Sequence, residues 1–330
     1  MRHLITIPFF LLFFSCLLKA QDPQFAQFYA NPIYLNPAFT GVTDHHRFVA
    51  NYRNQWLGLQ KAFMTYNVSY DRNLFEKNSG IGFSAWQDMA GSTRFTTTTV
   101  GVSYSYKIHF NNESDLRFGL QANYGMKTFN SANLVFNDQL NSGSSAVSAD
   151  LKNLGKVAYL DLNFGSLYVG DHYWLGASFR HINMPNTSIN DKSAKTPVGI
   201  SIHGGYRFMQ EKTGERLSYY ISPVFNYRHQ SNFDQLDLGV YFVTTPLHLG
   251  LWYRGLPVKK YAPSFSNNDA LSLMLGYEFK ETNLRIGYSY CYGLSKLTTA
   301  ANGSHEISIS YELSKRGKAA GKSTIVLPKL

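Results

Sequence analysis

Asp115-Leu116-Arg117-Phe118-Gly119-Leu120-Gln121-Ala122-Asn123-Tyr124-Gly125-Met126-Lys127-Thr128 alternates with a period of two. Leu116, Phe118, Leu120, Ala122, Tyr124 and Met126 share one parity. Arg117, Gly119, Gln121, Asn123, Gly125 and Lys127 share the other. Successive side chains of a β-strand point to opposite faces, so this segment has one apolar and one polar side. About 9–11 such residues cross a bilayer core when the strand is tilted.

The pattern recurs almost to the C-terminus. Candidate strands fall near 47–56, 62–71, 80–88, 95–109, 115–127, 156–168, 172–182, 197–208, 216–228, 235–243, 246–254, 270–280, 283–293 and 304–313. That makes fourteen, and twelve or sixteen remain open. A soluble β-sandwich has the same period. Three features favour a barrel in a membrane: the strands are many and long, export is indicated, and the polar faces are rich in Gly, Ser, Thr and Asn. Lipid can cover the apolar face, and closure pairs every backbone group. The reading is all-β: a transmembrane antiparallel β-barrel of about 14 strands, with a Pro-rich N-terminal segment and a basic C-terminal tail.

Connection lengths agree. With both termini on the periplasmic side, short turns fall at 111–114, 169–171, 244–245 and 281–282, and somewhat longer ones near 72–79 and 209–215. The long connections, near 128–155, 183–196, 255–269 and 294–303, share the other side. Short turns opposite long loops mark outer-membrane barrels. The loops at 57–61, 89–94 and 229–234 are short for their side.

Residues 1–20 read as a signal peptide: Arg2 and His3, an apolar run from Leu4 to Leu18, and Ala20 before the cut. Cys16 is a poor lipidation site, because Phe13 and Phe14 precede it and Leu17 and Leu18 continue the apolar run. No other apolar run approaches the ~20 residues of a spanning helix. The implied location is the outer membrane, in contact with its lipid. Only 16% of the 330 residues are charged, against roughly a quarter in soluble domains. Of the net +10, Lys315, Arg316, Lys318, Lys322 and Lys329 sit in the tail 314–330. No basic stripe with interleaved aromatics appears, which argues against nucleic acid.

Nothing points to an enzyme, a cofactor or a metal. There is no phosphate loop, HExxH or CxxC. His45 and His46 are adjacent, so they point to opposite faces of a strand. His203, His248 and His305 lie in strands, and His305 shares parity with Ile307 and Ile309 on the lipid side. Cys291 reads as a small lumen-facing or packed residue. Arg53, Arg117, Lys127, Arg180, Arg207 and Arg254 belong to the lumen face. They line a pore, or brace the wall with Asp161, Asp237 and Glu278; bracing is preferred.

Two segments break the period. Pro23, Pro32 and Pro37 forbid a regular strand in 21–46. The rings and aliphatics between them need burial. That makes the segment either a plug or capping layer on the periplasmic mouth, or a docking surface. The basic tail carries Ile325-Val326-Leu327 and reads as disordered or as a docking peptide. The domain reading is therefore 1–20 leader, 21–46 plug segment, 47–313 barrel and 314–330 tail.

The run Asp22-Pro23-Gln24-Phe25-Ala26-Gln27-Phe28-Tyr29-Ala30-Asn31-Pro32-Ile33-Tyr34-Leu35-Asn36-Pro37-Ala38-Phe39-Thr40-Gly41 closely resembles the opening signature of the PorP/SprF family. Trp252-Tyr253-Arg254, Arg285-Ile286-Gly287-Tyr288-Ser289-Tyr290 and Gly303-Ser304-His305-Glu306-Ile307-Ser308 resemble further family motifs, in the right order. The resemblance implies an outer-membrane β-barrel of the type IX secretion and gliding machinery. It implies protein–protein docking that supports secretion or surface attachment of specific cargo. The partners would be other secretion components and adhesin cargo; a passive pore for small solutes is the alternative. The signature residues carried into the plug or docking role are Asp22, Pro23, Gln24, Phe25, Asn31, Pro32, Tyr34, Leu35, Asn36, Pro37, Ala38 and Gly41. The chain departs from the family ending: Glu312-Leu313 is followed by the basic tail.

Overall fold

The computed structural model describes residues 22–43, 46–58, 63–91, 95–111, 114–128, 155–189, 193–210, 219–262, 265–294 and 302–313. The leader 1–20 and the tail 314–330 lie outside them, as does most of 128–155. Seven strands come first: β1 (His46–Gln55), β2 (Phe63–Leu74), β3 (Ser79–Ala90), β4 (Phe95–Asn111), β5 (Ser114–Thr128), β6 (Val157–Val169) and β7 (Tyr173–Arg180). Seven follow: β8 (Gly199–Tyr206, resuming as Phe208–Gln210), β9 (Tyr219–Gln230), β10 (Phe233–Thr244), β11 (Leu247–Ala262), β12 (Phe265–Phe279), β13 (Leu284–Gly293) and β14 (Ser304–Leu313). The two pieces of β8 keep one register against β9, with Gly205 opposite Val224 and Phe208 opposite Ile221.

Each strand pairs antiparallel with its neighbours in sequence. The ring closes between β1 and β14, from His46 opposite Leu313 to Gln55 opposite Ser304. No sheet edge is left, as a bilayer requires. The fourteen expected strands are all present. One expected loop is not: residues 255–269 mostly extend β11 and β12 as a hairpin beyond the barrel, with Gly255 opposite Asn268. The ladder is irregular at Gly255, whose φ of 148° belongs to glycine. The alternating apolar signal weakens in this Lys-, Asn- and Pro-containing stretch, although pairing continues.

The parity expected for β5 is observed. Leu120 and Tyr124 face outward and are exposed, while Arg117, Gln121 and Asn123 face inward and are buried. Outward rings such as Tyr106, Tyr206, Phe242 and Tyr277 lie towards the end that carries the strand termini His46 and Leu313. Tyr66, Tyr124 and Tyr292 lie towards the other end. Two aromatic belts flanking an aliphatic band suit the two interfaces of a membrane.

The lumen is not polar throughout, as the sequence reading had it. Leu167, Trp174, Val224, Tyr241, Trp252 and Met274 all point inward. Together with residues 26–42 they form one apolar cluster inside the barrel. Strands β6, β7 and β9–β12 are therefore apolar on both faces along part of their length, which is the pattern of a strand buried on both sides.

Candidate functional site: a segment packed inside the barrel

Residues 22–43 run through the barrel interior. Three short turns shape them: 3-10 turns at Phe28–Ala30 and Pro37–Phe39, and one α-turn at Pro32–Leu35. Pro32 and Pro37 each open a turn, where a missing N–H costs nothing and a fixed φ helps. Asn36 caps the last turn, its Oδ1 accepting from the Ala38 N–H at 2.8 Å. The N-terminal end reaches the outer half of the lumen at Asp22. The other end turns at Gly41, beside Gly80 and Arg72 near the terminal rim. From there β1 begins.

The segment brings its own apolar side chains and buries them. Phe25, Phe28, Tyr29, Ile33, Leu35, Ala38 and Phe39 are all buried. Phe28 meets Trp252 edge-on at 4.5 Å between ring centroids, and Tyr29 meets Trp174 at 5.7 Å. Burial of each of the larger aliphatic and phenyl side chains stabilises the packed arrangement by about 1.5–3 kcal/mol relative to exposure.

Polar wall residues hold the backbone of the segment. Glu306 on β14 accepts from the N–H groups of Ala26 and Gln27, at 2.6 and 2.9 Å. The same carboxylate pairs with Arg53 at 3.3 Å. The Gln27 side chain donates to Ser289 Oγ and the Glu306 carbonyl, both at 3.1 Å, and accepts from Ser308 Oγ at 2.6 Å. Asn36 Nδ2 donates to the carbonyls of Ser166 and Ala177, at 3.0 and 3.1 Å. Near the terminal rim, Arg117 donates to the carbonyls of Ala38 and Thr40, at 3.2 and 2.9 Å. Arg47 is paired to Asp71 at 2.8 Å and reaches the Phe39 carbonyl at 3.1 Å. Asp71 also accepts the Gly41 N–H at 2.7 Å.

Glycines on the lumen parity make the contact close. A Cβ on Gly119 would sit 2.3 Å from the Pro37–Ala38 backbone, and one on Gly165 would sit 1.9 Å from Asn36 Oδ1. Gly41 has a φ of +64°, and a Cβ there would lie 2.6 Å from Gly80 Cα.

The outer tip is held by charge. Asp22 meets His181 Nε2 at 2.8 Å and Arg180 at 3.4 Å, and His181 Nδ1 meets Asp161 at 2.8 Å. Burial works against ionisation of Asp22, but Arg180 and then His181 outweigh it and hold the carboxyl below its ordinary value. Burial likewise works against the His181 cation. The Asp22 charge and the bonds to Asp161 and Asp22 prevail and raise its pKa to about 9. Tyr34 donates to the Pro23 carbonyl at 2.5 Å, and burial pushes its hydroxyl up to about 12.

Beyond the tip lies a cavity of about 1360 Å³, facing the end with the long connections. Asp22, Pro23 and Gln24 contribute to its lining, with Arg53, Thr65, Trp86 and Tyr159 from the wall.

The twelve signature residues thus lie in one continuous structure within the lumen. Phe25, Leu35 and Ala38 pack in the apolar cluster or beside it, and Asn36, Pro37 and Gly41 meet the wall glycines. Asn31 is buried with no partner for its side-chain amide among the described residues. The lumen charges divide. Arg254 braces Asp237 at 2.7 Å, whereas Asp161 takes His181 and Glu278 lies 3.6 Å from His248. Arg117 and Arg180 grip the inserted segment, a role outside the pore-or-brace choice. Arg207 lies over the Tyr220 ring, and Lys127 donates to Thr187. Cys291 is buried, 2.9 Å from Ser272 Oγ. His305 faces outward and bonds the Tyr288 hydroxyl at 2.7 Å. His46 bonds Tyr70, and His45 lies outside the described residues.

Asp71 and Trp174 were not singled out from sequence, and Gln27 and Trp252 were named only within the family motifs. The signal for the tryptophans was present: 238–243 and 249–253 are apolar on both parities, with glycines interspersed.

The profile described as type IX secretion system membrane protein PorP/SprF matches residues 17–311. A comparison with curated proteins gives no match. Among solved structures, the chain is similar to the P. putida toluene transporter TodX, at 11% identity over 85% of this chain and 93% of that one, with a TM-score of 0.48. The CymD monoaromatic hydrocarbon channel is similar at 11% identity over 87% and 94%, TM-score 0.48. Acinetobacter baumannii Omp33 is similar at 7% identity over 80% and 96%, TM-score 0.41.

Proposed function

Since the chain belongs to the PorP/SprF family of type IX secretion system membrane proteins, we propose that it is a plugged outer-membrane barrel that supports secretion or surface attachment of specific cargo by docking. On this reading residues 22–43 are the plug, and the long connections and the outer cavity face the cell surface. The partners are other secretion components and surface adhesins, with lipid around the wall. The observation that carries the reading is the filled lumen. A diffusion pore needs a continuous aqueous path, whereas here an apolar core and buried hydrogen bonds occupy the barrel interior. Docking needs only a stable wall and exposed loops.

Two measurements test it. Deleting the gene in its own organism, then profiling secreted and surface proteins and gliding, tests the role; an unchanged profile with normal motility rejects it. Planar-bilayer recording of the full chain tests the plug. The intact protein is expected to stay closed, and a version lacking residues 22–40 is expected to conduct. Steady conductance with the segment present supports the passive pore instead.

A further inference from the structure

A level row of residues walls one side of the outer cavity. Arg53, Thr65, Asp88, Thr97 and Lys127 stand directly opposite one another across β1 to β5, all on the lumen parity. Asp88 and Lys127 are half-buried and line the cavity, so both are reached from it.

The charges around these two are already engaged. Arg53 belongs to Glu306, Asp22 to Arg180 and His181, Asp161 to His181, and Arg254 to Asp237. Lys195 and Asp269, the other charges of the cavity, are exposed. Asp88 accepts from the Thr65 hydroxyl at 2.7 Å. Lys127 turns the other way: its Nζ donates to Thr187 Oγ1 at 3.0 Å and stands 5.9 Å from the Tyr159 ring centroid. Neither Asp88 nor Lys127 has an oppositely charged partner among the described residues. Thr97 lies between them, and at about 4.8 Å per strand their backbones are about 10 Å apart. The wall therefore offers one anion and one cation at a fixed spacing.

Rings frame the row. Trp86 lies two residues below Asp88 on β3, nearer the terminal rim, and Tyr159 lies opposite Gly125, two residues below Lys127. A Cβ on Gly125 would come within 2.4 Å of the Tyr159 ring, so that ring covers the wall there. Phe95 stands two residues above Thr97. All three rings are half-buried and face the cavity. An apolar chain joining the two charges meets ring surface on both sides.

We propose that this wall binds a zwitterion, with an ammonium group at Asp88 and a carboxylate at Lys127. The apolar chain between the charges lies across Thr97, against Trp86, Tyr159 and Phe95. Lys127 swings from Thr187 to the carboxylate. The same chemistry is offered by a free amino acid with its charges at opposite ends, and by lysine and glutamate side chains of a polypeptide entering the cavity.

Saturation-transfer NMR on the full chain in lipid nanodiscs, with empty nanodiscs as the blank, tests this with ε-aminocaproate, hexylamine, hexanoate and glycine. ε-Aminocaproate is expected to bind roughly tenfold or more tighter than either single-charge analogue, the contribution of the second charged hydrogen bond. Glycine, whose charges are too close together to reach both residues, is expected not to compete with it. Asp88→Asn should reduce ε-aminocaproate to the affinity of hexanoate, and Lys127→Met to that of hexylamine. Heat-modifiable gel mobility establishes that each variant is folded. A doubly blocked peptide, acetyl-Lys-Gly-Glu-amide, identifies the source. If it competes with ε-aminocaproate, polypeptide side chains are the occupant; if it does not, a free zwitterion is. ε-Aminocaproate bound no tighter than its analogues, no binding at all, equal binding of glycine, or unchanged affinity in either variant overturns the proposal. None of these outcomes bears on the secretion reading, which the gene deletion decides.

Discussion

Replacing Glu306 by glutamine is expected to unseat the inserted segment while leaving the barrel closed. Glu306 is 1% exposed and serves three groups at once: two backbone N–H donors of the segment and the Arg53 guanidinium. Glutamine keeps one acceptor oxygen and loses the charge. One segment amide then lacks its partner, and Arg53 is left buried without a counter-charge. Removing one partner of a buried ion pair costs about 3–5 kcal/mol. At ~1.4 kcal/mol per decade, that is a loss of roughly two to three and a half decades in the seating equilibrium. The ladder between β1 and β14 spans His46 to Gln55 and does not depend on this carboxylate. Hydrogen exchange in detergent is the assay. The amides of Ala26 and Gln27 should exchange 10²-fold or more faster in the variant, while those of β1 and β14 keep their protection. Protection of Ala26 and Gln27 equal to that of the parent refutes the reasoning. Equal loss across β14 refutes it too, because Glu306 would then be supporting the wall rather than the segment.

Further outcomes follow from the same contacts. Gly119→Ala places a methyl 2.3 Å from the Pro37–Ala38 backbone; overpacking of about 1–3 kcal/mol should lower the heat-modifiability midpoint. Trp252→Ala removes the ring that meets Phe28 and Tyr29 and should cost about 3–5 kcal/mol in denaturant unfolding; a loss below 1 kcal/mol counts against an apolar core in the lumen. The outer tip should depend on pH. His181 is raised from 6.5 to about 9, so its contribution is whole below 6.5 and fades as pH rises through 9. Asp22 is lowered from 3.8, so its contribution is whole above 3.8 and fades on acidification. Protease protection at residues 22–25 should therefore peak between these limits, and His181→Gln should flatten the alkaline side.

Most of the wall was legible in the sequence, because one face of each strand meets lipid and the other does not. Period two survives wherever those environments differ, as in β5, β13 and β14. It fails where both faces are apolar. Tyr241-Phe242-Val243 and Leu251-Trp252-Tyr253 do not alternate, since Tyr241 and Trp252 meet the inserted segment while Phe242 and Leu251 face outward. The prolines of 22–41 excluded a strand but could not say which surface receives the segment. That answer lies in residues distant in sequence. Gly119, Gly165, Ser289 and Glu306 each look like an ordinary lumen position until the backbone of 26–41 is placed against them. The extension of β11 and β12 past 254 was missed because its pairing holds through irregular register where side-chain alternation gives little signal.

The grip of Glu306 and Ser308 on Ala26 and Gln27 spans 279 to 281 positions of the chain. The stretch that emerges early from the ribosome thus finds its partners only in the final strand. Contacts of such separation form late and slowly, since a very long loop must close before they give any return. Completion of the interior is in this way tied to completion of synthesis. A chain truncated before β14 has nothing to offer the amides of 26 and 27, and its ring cannot close against β1. An incomplete copy is therefore chemically distinct from a finished one: β1 keeps an open edge, and the segment lacks one of its anchors.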